Sequence, residues 1–219
     1  MKDIKFLRRT ALPAHLVVIM AGLLIPHSLL ALQIEKVLAF ATADSVRVEV
    51  APRTGEDFAG VEFRATITQV GSSRLLWQGP LGQITPGGAA GASFTKTLSG
   101  LKPELWNPDS PVLYNLQVTA AKDGKDLGTK TIRIGFRSFE IKGGQFHLNG
   151  RPVFLRGIAI NPPGRTIPPE VGESRPFAEA YVRYLKSQNV NIFRLTTDAS
   201  QVWFDVCDEL GMIDRKSVV

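Results

Sequence analysis

The sequence predicts a small antiparallel β-sandwich followed by a segment of alternating strands and helices. Between residues 45 and 135, apolar and polar residues alternate in short runs that are separated by glycine and proline turns. Beyond residue 155, apolar residues recur at helical spacing, and short apolar runs separate the helical stretches. With 219 residues, of which 44% are hydrophobic, the chain is long enough for a small domain and part of another.

Short runs in the first half of the chain show the period of two that is typical of half-buried strands. They are residues 46–50, 61–67, 74–77, 93–98, 114–118 and 130–134. Their number and spacing predict an immunoglobulin-like sandwich over residues 44–137. Cys207 is the only cysteine, so no disulfide within the chain can join the two sheets, and apolar packing must hold them together.

A hairpin is predicted after the sandwich. Asn149 and Gly150 lie between the apolar runs 145–148 and 152–155. Both residues tolerate the positive φ of a type I′ turn, which is the strongest short-range signal for a hairpin. The hairpin leads into a predicted strand at 155–160.

The last part of the chain predicts parallel strands covered by helices. A proline-rich loop at 161–169 precedes a predicted helix with one apolar face, formed by Phe177, Ala180, Tyr181, Tyr184 and Leu185. A strand at 191–195 follows, and then a second amphipathic helix, which Gly211 ends, with a buried strand expected after it. Two such units cannot close a barrel or bury both faces of a sheet, so this domain is predicted to be incomplete.

The first residues predict export. Basic residues at positions 2, 5, 8 and 9 precede an apolar run at 11–32, which is typical of a secretory signal peptide over residues 1–32 and of a secreted or periplasmic protein. An uncleaved membrane anchor is the alternative. Proline and histidine interrupt the run and leave no clean span of roughly 20 apolar residues, so a signal peptide is favoured. A membrane is expected as a partner only through this segment.

The last six residues raise a separate hypothesis. Residues 214–219, Asp-Arg-Lys-Ser-Val-Val, are what one reading frame of a common sequencing-library adapter encodes. We therefore expect 214–219 to be a non-native tail. Other codons at these positions in the underlying DNA would contradict this.

Charge and histidine placement argue against several classes of partner. The formal net charge is +6, but the excess lies largely at the two ends, so no basic stripe for nucleic acid is expected between them. His147 is far in sequence from His15 and His27, so no metal cluster is expected, and an exposed strand histidine is the prediction. No cofactor is predicted.

Five segments stand out for their order and spacing. They are Leu105-Trp106-Asn107-Pro108 with the following residues to 114, Gly135-Phe136-Arg137, residues 144–157, Asn191-Ile192-Phe193-Arg194, and residues 207–211. Together they resemble glycoside hydrolase family 2, the β-galactosidase, β-glucuronidase and β-mannosidase group. The resemblance implies an all-β immunoglobulin-like sandwich followed by an incomplete (β/α)8 barrel, of which the first two βα units and the hairpin occupy residues 138–213. It also implies retaining hydrolysis of terminal β-linked sugars, with a carbohydrate as the substrate.

The catalytic carboxylates that this resemblance implies are not found in the chain. Retaining hydrolysis needs two carboxyl groups about 5 Å apart, and family members carry both glutamates on later strands. The glutamates at 170, 173, 179 and 209 match neither position, so solvated or capping roles are expected and no catalytic residue is predicted. The alternative to a glycosidase is a non-catalytic sandwich module that binds a carbohydrate or another partner.

The resemblance implies three substrate-binding candidates. Arg194 matches an arginine that the family keeps near the sugar, and its alternative is a structural salt bridge. Asn161 and Asp198 lie where galactosidases and glucuronidases of the family carry histidine-containing segments, and a loop-capping role is equally expected for each. Because this sequence has other residues than those enzymes at both positions, the sugar is left unassigned. Trp106 is expected to be a packing anchor rather than a sugar platform, and Cys207 a buried, inert thiol.

Overall fold

The structure is a computed structural model that describes residues 33–51, 53, 58, 60–83, 93–160, 167–195 and 199–216. The predicted signal peptide at 1–32 lies outside the described residues. No helix within the ranges above is long and apolar enough to span a bilayer.

Antiparallel strands form the first half of the described chain. They are β1 (Lys36–Ala41), β2 (Val46–Ala51), β3 (Glu62–Gln69), β4 (Leu75–Gln83), β5 (Phe94–Leu98), β6 (Tyr114–Lys122) and β7 (Lys125–Ile134). One sheet has the order β1-β2-β5 and the other β4-β3-β6-β7. All the runs that alternate in the sequence form strands, as predicted.

The two sheets share one hydrophobic core. Alternate residues of each strand are buried in it, such as Val48 on β2, Ile67 on β3 and Leu116 on β6. Aromatic contacts add to the packing: the rings of Tyr114 and Phe136 meet edge to face with centroids 5.2 Å apart. Burial of apolar surface therefore joins the sheets without a disulfide.

The first sheet begins earlier than the predicted boundary at residue 44. β1 pairs with β2 from Lys36 opposite Ala51 to Ala41 opposite Val46. A tight turn closes this hairpin, since the N–H of Thr42 donates to the carbonyl of Ser45 at 2.8 Å. β1 was not predicted, because Val-Leu-Ala-Phe-Ala at 37–41 is a continuous apolar run that lacks the alternation of the other strands.

The hairpin forms where it was predicted. It joins β9 (Gln145–Leu148) to β10 (Arg151–Pro152), and a third strand, β8 (Phe139–Lys142), pairs with the other side of β9. Asn149 and Gly150 both have positive φ, 52° and 76°, as a type I′ turn requires. The Asn149 side chain donates to the carbonyl of Trp106 at 2.9 Å and so attaches the turn to the sandwich.

Parallel strands alternate with helices in the last part of the chain. The elements are β11 (Gly157–Ile160), α1 (Pro169–Gly172), α2 (Arg175–Ser187), β12 (Ile192–Leu195), α3 (Gln201–Leu210) and β13 (Ile213–Lys216). The sheet order is β11-β12-β13, with every pairing parallel. α1 was not predicted, because its prolines indicated a loop. β13 includes residues 214–216, and the non-native origin of 214–219 stays a prediction.

A second hydrophobic core lies between this sheet and its helices. Trp203 of α3 is buried there, and its ring meets those of Phe177, Tyr181 and Phe193 edge to face at 6.0–6.3 Å. Phe193 and Leu195 of β12 are fully buried in the same core. One face of the parallel sheet is thus covered by α2 and α3.

Candidate functional site

The carboxyl ends of the parallel strands lie side by side at one edge of their sheet. Arg194 is the next-to-last residue of β12 and is paired with Ala159 of β11. Because successive side chains of a strand point to opposite faces, burial of Phe193 and Leu195 against the helices places Arg194 on the other face, where it is exposed. Among the predicted substrate-binding residues, Arg194 is therefore at a strand end. Asn161 and Asp198 lie outside the described residues.

The register that places Arg194 depends on Asn191 and Gly157. The Asn191 side chain accepts a hydrogen bond from the N–H of Arg156 and donates one to the carbonyl of Phe154, both at 2.9 Å. A Cβ on Gly157 would lie 2.9 Å from Cγ2 of Ile192, so only glycine allows this approach of β11 to β12. The role of Asn191 was not predicted from the sequence, although its place one residue before β12 was a signal.

The connections that follow β11 and β12 are joined to each other. The carboxylate of Glu173, just after α1, accepts a 3.1 Å hydrogen bond from the N–H of Ser200 at the start of α3. The indole of Trp203 donates to the carbonyl of Gly172 at 3.1 Å. Glu173 thus caps a helix, as expected, but that helix is α3 and not its own. Oε1 of Glu173 and Oγ of Ser200 are buried without a hydrogen-bond partner among the described residues.

The other glutamates singled out in the sequence serve ion pairs or face solvent. Glu209 accepts hydrogen bonds from Arg133 of β7 and from Arg175 of α2. Glu179 pairs with Arg175 at 2.8 Å, one helical turn away. Glu170 is exposed. The ion pairs of Glu209 are a structural use that the sequence analysis did not predict.

The groups with altered pKa lie away from the strand ends. Asp208 is near the end of α3, on the side that faces the sandwich, and burial raises the pKa of its carboxyl while Arg137, 3.5 Å away, opposes the shift. Burial also raises the pKa of the Cys207 thiol well above its ordinary range. Cys207 is fully buried, so the prediction of a buried thiol is confirmed.

Trp106 packs where the sandwich meets the helices. It is 1% exposed, and its indole donates a 2.7 Å hydrogen bond to the carbonyl of Asp208. The packing role expected for Trp106 is confirmed.

His147 lies on β9 but is half-buried rather than exposed, with Nδ1 3.2 Å from the carbonyl of Gln145. In the ranges that the structure describes, no group of three or more His, Cys, Asp or Glu side chains is placed to hold a metal.

Sequence comparison finds a family match in the first part of the chain. Residues 42–137 match the family model of glycosyl hydrolases family 2. This segment of the chain is similar to that family. A β-galactosidase of Photobacterium profundum is 30% identical over 122 residues, which are 53% of this chain and 11% of that protein. β-Galactosidase BgaC of Bifidobacterium adolescentis is 33% identical over 113 residues, 49% of this chain and 10% of that protein. The chain thus spans about a tenth of the length of these relatives.

Solved structures of family 2 members share the fold over a longer stretch. A member from Bacteroides cellulosilyticus DSM 14838 has a TM-score of 0.68 and 24% identity, covering 84% of this chain and 26% of its own. A β-glucuronidase of Parabacteroides merdae has a TM-score of 0.67 and 22% identity, covering 84% of this chain and 24% of its own. Residues 42–137 are too few to make up 84% of this chain. The likeness therefore extends beyond the family 2 segment, and the predicted resemblance is confirmed.

Proposed function

We propose that this chain is part of an exported retaining glycosidase that hydrolyses terminal β-O-glycosidic bonds in carbohydrate catabolism. The observation that carries the proposal is the order of elements: a family 2 segment is followed by a hairpin and by a parallel sheet with Arg194 at its carboxyl edge. Relatives and structural neighbours named β-galactosidase and β-glucuronidase support a carbohydrate substrate.

In this proposal the two antiparallel sheets are an immunoglobulin-like sandwich, and β11, β12 and β13 with their helices begin a (β/α)8 barrel. Barrel enzymes bind substrate at the carboxyl ends of the strands. Arg194 lies at that edge, residue 161 follows β11 directly in sequence, and residue 198 is three positions after the end of β12. We assign Arg194, Asn161 and Asp198 to substrate binding on this ground.

Arg194 supplies charge and hydrogen-bond donors in the proposed site. A guanidinium donates to sugar hydroxyls, and a nearby guanidinium lowers the pKa of a carboxylate nucleophile and so keeps it ionised. Retaining hydrolysis also needs two carboxyl groups about 5 Å apart, one acting as acid and base and the other as nucleophile. We assign neither role to a residue of this chain, because its candidate glutamates cap a helix, form ion pairs or face solvent.

The test is to read the genomic DNA through codon 213 and beyond, express the continuous reading frame, and assay a panel of aryl β-glycosides. Arg194→Ala removes charge-assisted hydrogen bonds worth about 1.5–3 kcal/mol, so kcat/KM should fall about 10- to 100-fold. Arg183→Ala, on the exposed face of α2, is the matched control and should retain activity. Absence of hydrolysis across the panel, or equal activity in both variants, would contradict the proposal.

Export is tested separately. Signal-peptide cleavage predicts a mature chain that begins after the apolar run at 11–32, which N-terminal sequencing of the protein from the culture medium or periplasm will show. Recovery of the chain only in the cell interior, with residues 1–32 attached, would refute export and leave the glycosidase proposal intact.

A further inference from the structure

The outer face of the four-stranded sheet is concave. A groove of about 760 Å³ runs over β4, β3, β6 and the start of β7. The ladder shifts register between Phe63 and Arg64, where β3 meets β4, and such bulges bend a strand. The groove lies on the side of the sheet away from the core, where Glu62, Arg64 and Thr66 of β3 face outward.

The outward side chains that line the groove, most of them polar, lie in three rows across the strands. Each row follows the pairing of β3 with its neighbours β4 and β6. The rows are Gln78, Thr66 and Gln117; Pro80, Arg64 and Thr119; and Gln83, Glu62 and Ala121. Glu62 and Thr66 are four residues apart on β3, so the rows span roughly 14 Å along the strand. This is an extended binding surface rather than a point site.

Two contacts hold polar groups in place before any ligand arrives. Arg64 pairs with Asp126 of β7. The Gln83 amide donates to Glu62 at 2.8 Å. An amide carries a second N–H and an acceptor oxygen, and a carboxylate has further lone pairs, so both partners keep capacity for a ligand. Groups that are already fixed lose less entropy on binding.

The Gln78 and Gln117 side chains lie on either side of Thr66 in the same row. Both glutamines are exposed, and no hydrogen bond within the described ranges engages their amides. An amide both donates and accepts, as does each hydroxyl of a sugar. This row offers the donor and acceptor mixture that a polyhydroxylated ligand needs.

The charge and size of the side chains that line the groove favour some classes of ligand over others. Its outward side chains include one cation, Arg64, against the anions Glu62 and Asp126, so the positive field that nucleic acid requires is missing. Pro80 and Ala121 are its outward apolar residues, which gives a protein partner no large anchor. We propose that this groove binds a neutral oligosaccharide, at a site separate from the carboxyl edge of the parallel sheet. Such binding is additional to the proposed hydrolysis, because the groove lies entirely on β3, β4, β6 and β7 and binding there needs no catalytic group.

The test is titration of the full chain with neutral β-linked gluco- and galacto-oligosaccharides, followed by the side-chain amide signals of its glutamines in ¹⁵N spectra. Signals of Gln78, Gln83 and Gln117 should shift with a single dissociation constant. Loss of two amide partners in Gln78→Ala/Gln117→Ala should weaken binding about tenfold or more. Gln145→Ala, an exposed glutamine on β9, is the matched control and should bind as the unaltered chain does.

Circular dichroism melting of the double variant confirms that the sandwich remains folded. Failure of every oligosaccharide to bind, or binding that the double variant leaves unchanged, overturns the proposal. Self-association in sedimentation experiments that the double variant abolishes would assign the groove to a second copy of the chain and overturn it as well. None of these outcomes bears on hydrolysis, which is measured on the continuous reading frame with Arg194→Ala.

Discussion

The indole Nε1 of Trp106 donates a 2.7 Å hydrogen bond to the carbonyl oxygen of Asp208, 102 positions later in the chain. Trp106 precedes β6 in the sandwich, whereas Asp208 lies in the last turn of α3. The last carbonyls of a helix have no partner within it, so this bond satisfies a group that would otherwise be unpaired. Arg137 lies over the same ring, 4.7 Å from its centroid. One side chain of the sandwich thus binds the end of a helix in the second half of the chain.

Trp106→Phe removes the donor and keeps most of the ring. The partly buried carbonyl of Asp208 loses its partner, so the free energy of unfolding should fall by about 1–2 kcal/mol in urea titrations. Trp77→Phe is the control, because no hydrogen bond among the described residues uses the Trp77 indole, and its loss should be smaller. Equal losses in the two variants would show that the bond to Asp208 does not stabilise the fold.

A second contact at the same boundary depends on Gly211, which ends α3 in the left-handed region at φ 73°. A Cβ at this position would lie 2.3 Å from the carbonyl oxygen of Pro108, far inside van der Waals contact. Gly71 has nearly the same φ, 76°, but no atom within 4 Å of its virtual Cβ. Substitutions at the two glycines therefore separate the cost of backbone strain from the cost of the close contact with Pro108.

Gly71→Ala should cost about 1–2 kcal/mol, the expected cost of placing alanine in the left-handed region. Gly211→Ala should cost clearly more, because Pro108 must also move and the sandwich contact with α3 opens. Thermal melts of both variants measure the difference. If the two substitutions shift Tm equally, Pro108 can move at little cost and its close contact with residue 211 does not constrain the fold.

Local pattern predicts most elements here but not the contacts between them. The alternation in β2, β3 and β6, and the turn at Asn149, depend on residues close in sequence, so they are readable without a structure. Trp106 and Asp208, or Pro108 and Gly211, are about a hundred positions apart, and no local pattern pairs them. The Gln78 and Gln117 row was missed for a related reason, since outward polar residues of a strand look the same whether the sheet is flat or hollow.

The candidate site was predicted only as far as a family motif reaches. Arg194 was identified by resemblance; the structure places it exposed at a strand end, and its role in substrate binding stays a prediction. Glu173 was grouped with solvated and capping glutamates, and its partner on α3 depends on how α1 folds back toward Ser200. A helix of four residues with prolines at its start gives little signal in sequence.

Asp208 should make stability depend on pH in a direction opposite to that of ordinary salt-bridged carboxylates. Burial raises its folded-state pKa above the unfolded value near 4, although Arg137 opposes this shift. Its contribution is therefore fully present below about pH 4 and is lost as pH rises through the folded-state pKa. Asp208→Asn removes this loss, so the variant should gain stability relative to the unaltered chain between about pH 4 and neutrality. Urea titrations across that range will show it, and a stability difference that stays constant with pH would refute it.

Glu173 should control the order of the first turn of α3. Its carboxylate is the acceptor for the N–H of Ser200, and a negative charge near the N-terminus of a helix also interacts favourably with the helix dipole. Glu173→Ala should cost about 1 kcal/mol locally, so hydrogen exchange of the amides at the start of α3 should accelerate roughly fivefold. Glu170→Ala, on the exposed side of α1, is the control and should leave their exchange unchanged. Faster exchange confined to the Glu173 variant would show that Glu173 orders the start of α3. Equal exchange in both variants would remove Glu173 from that role.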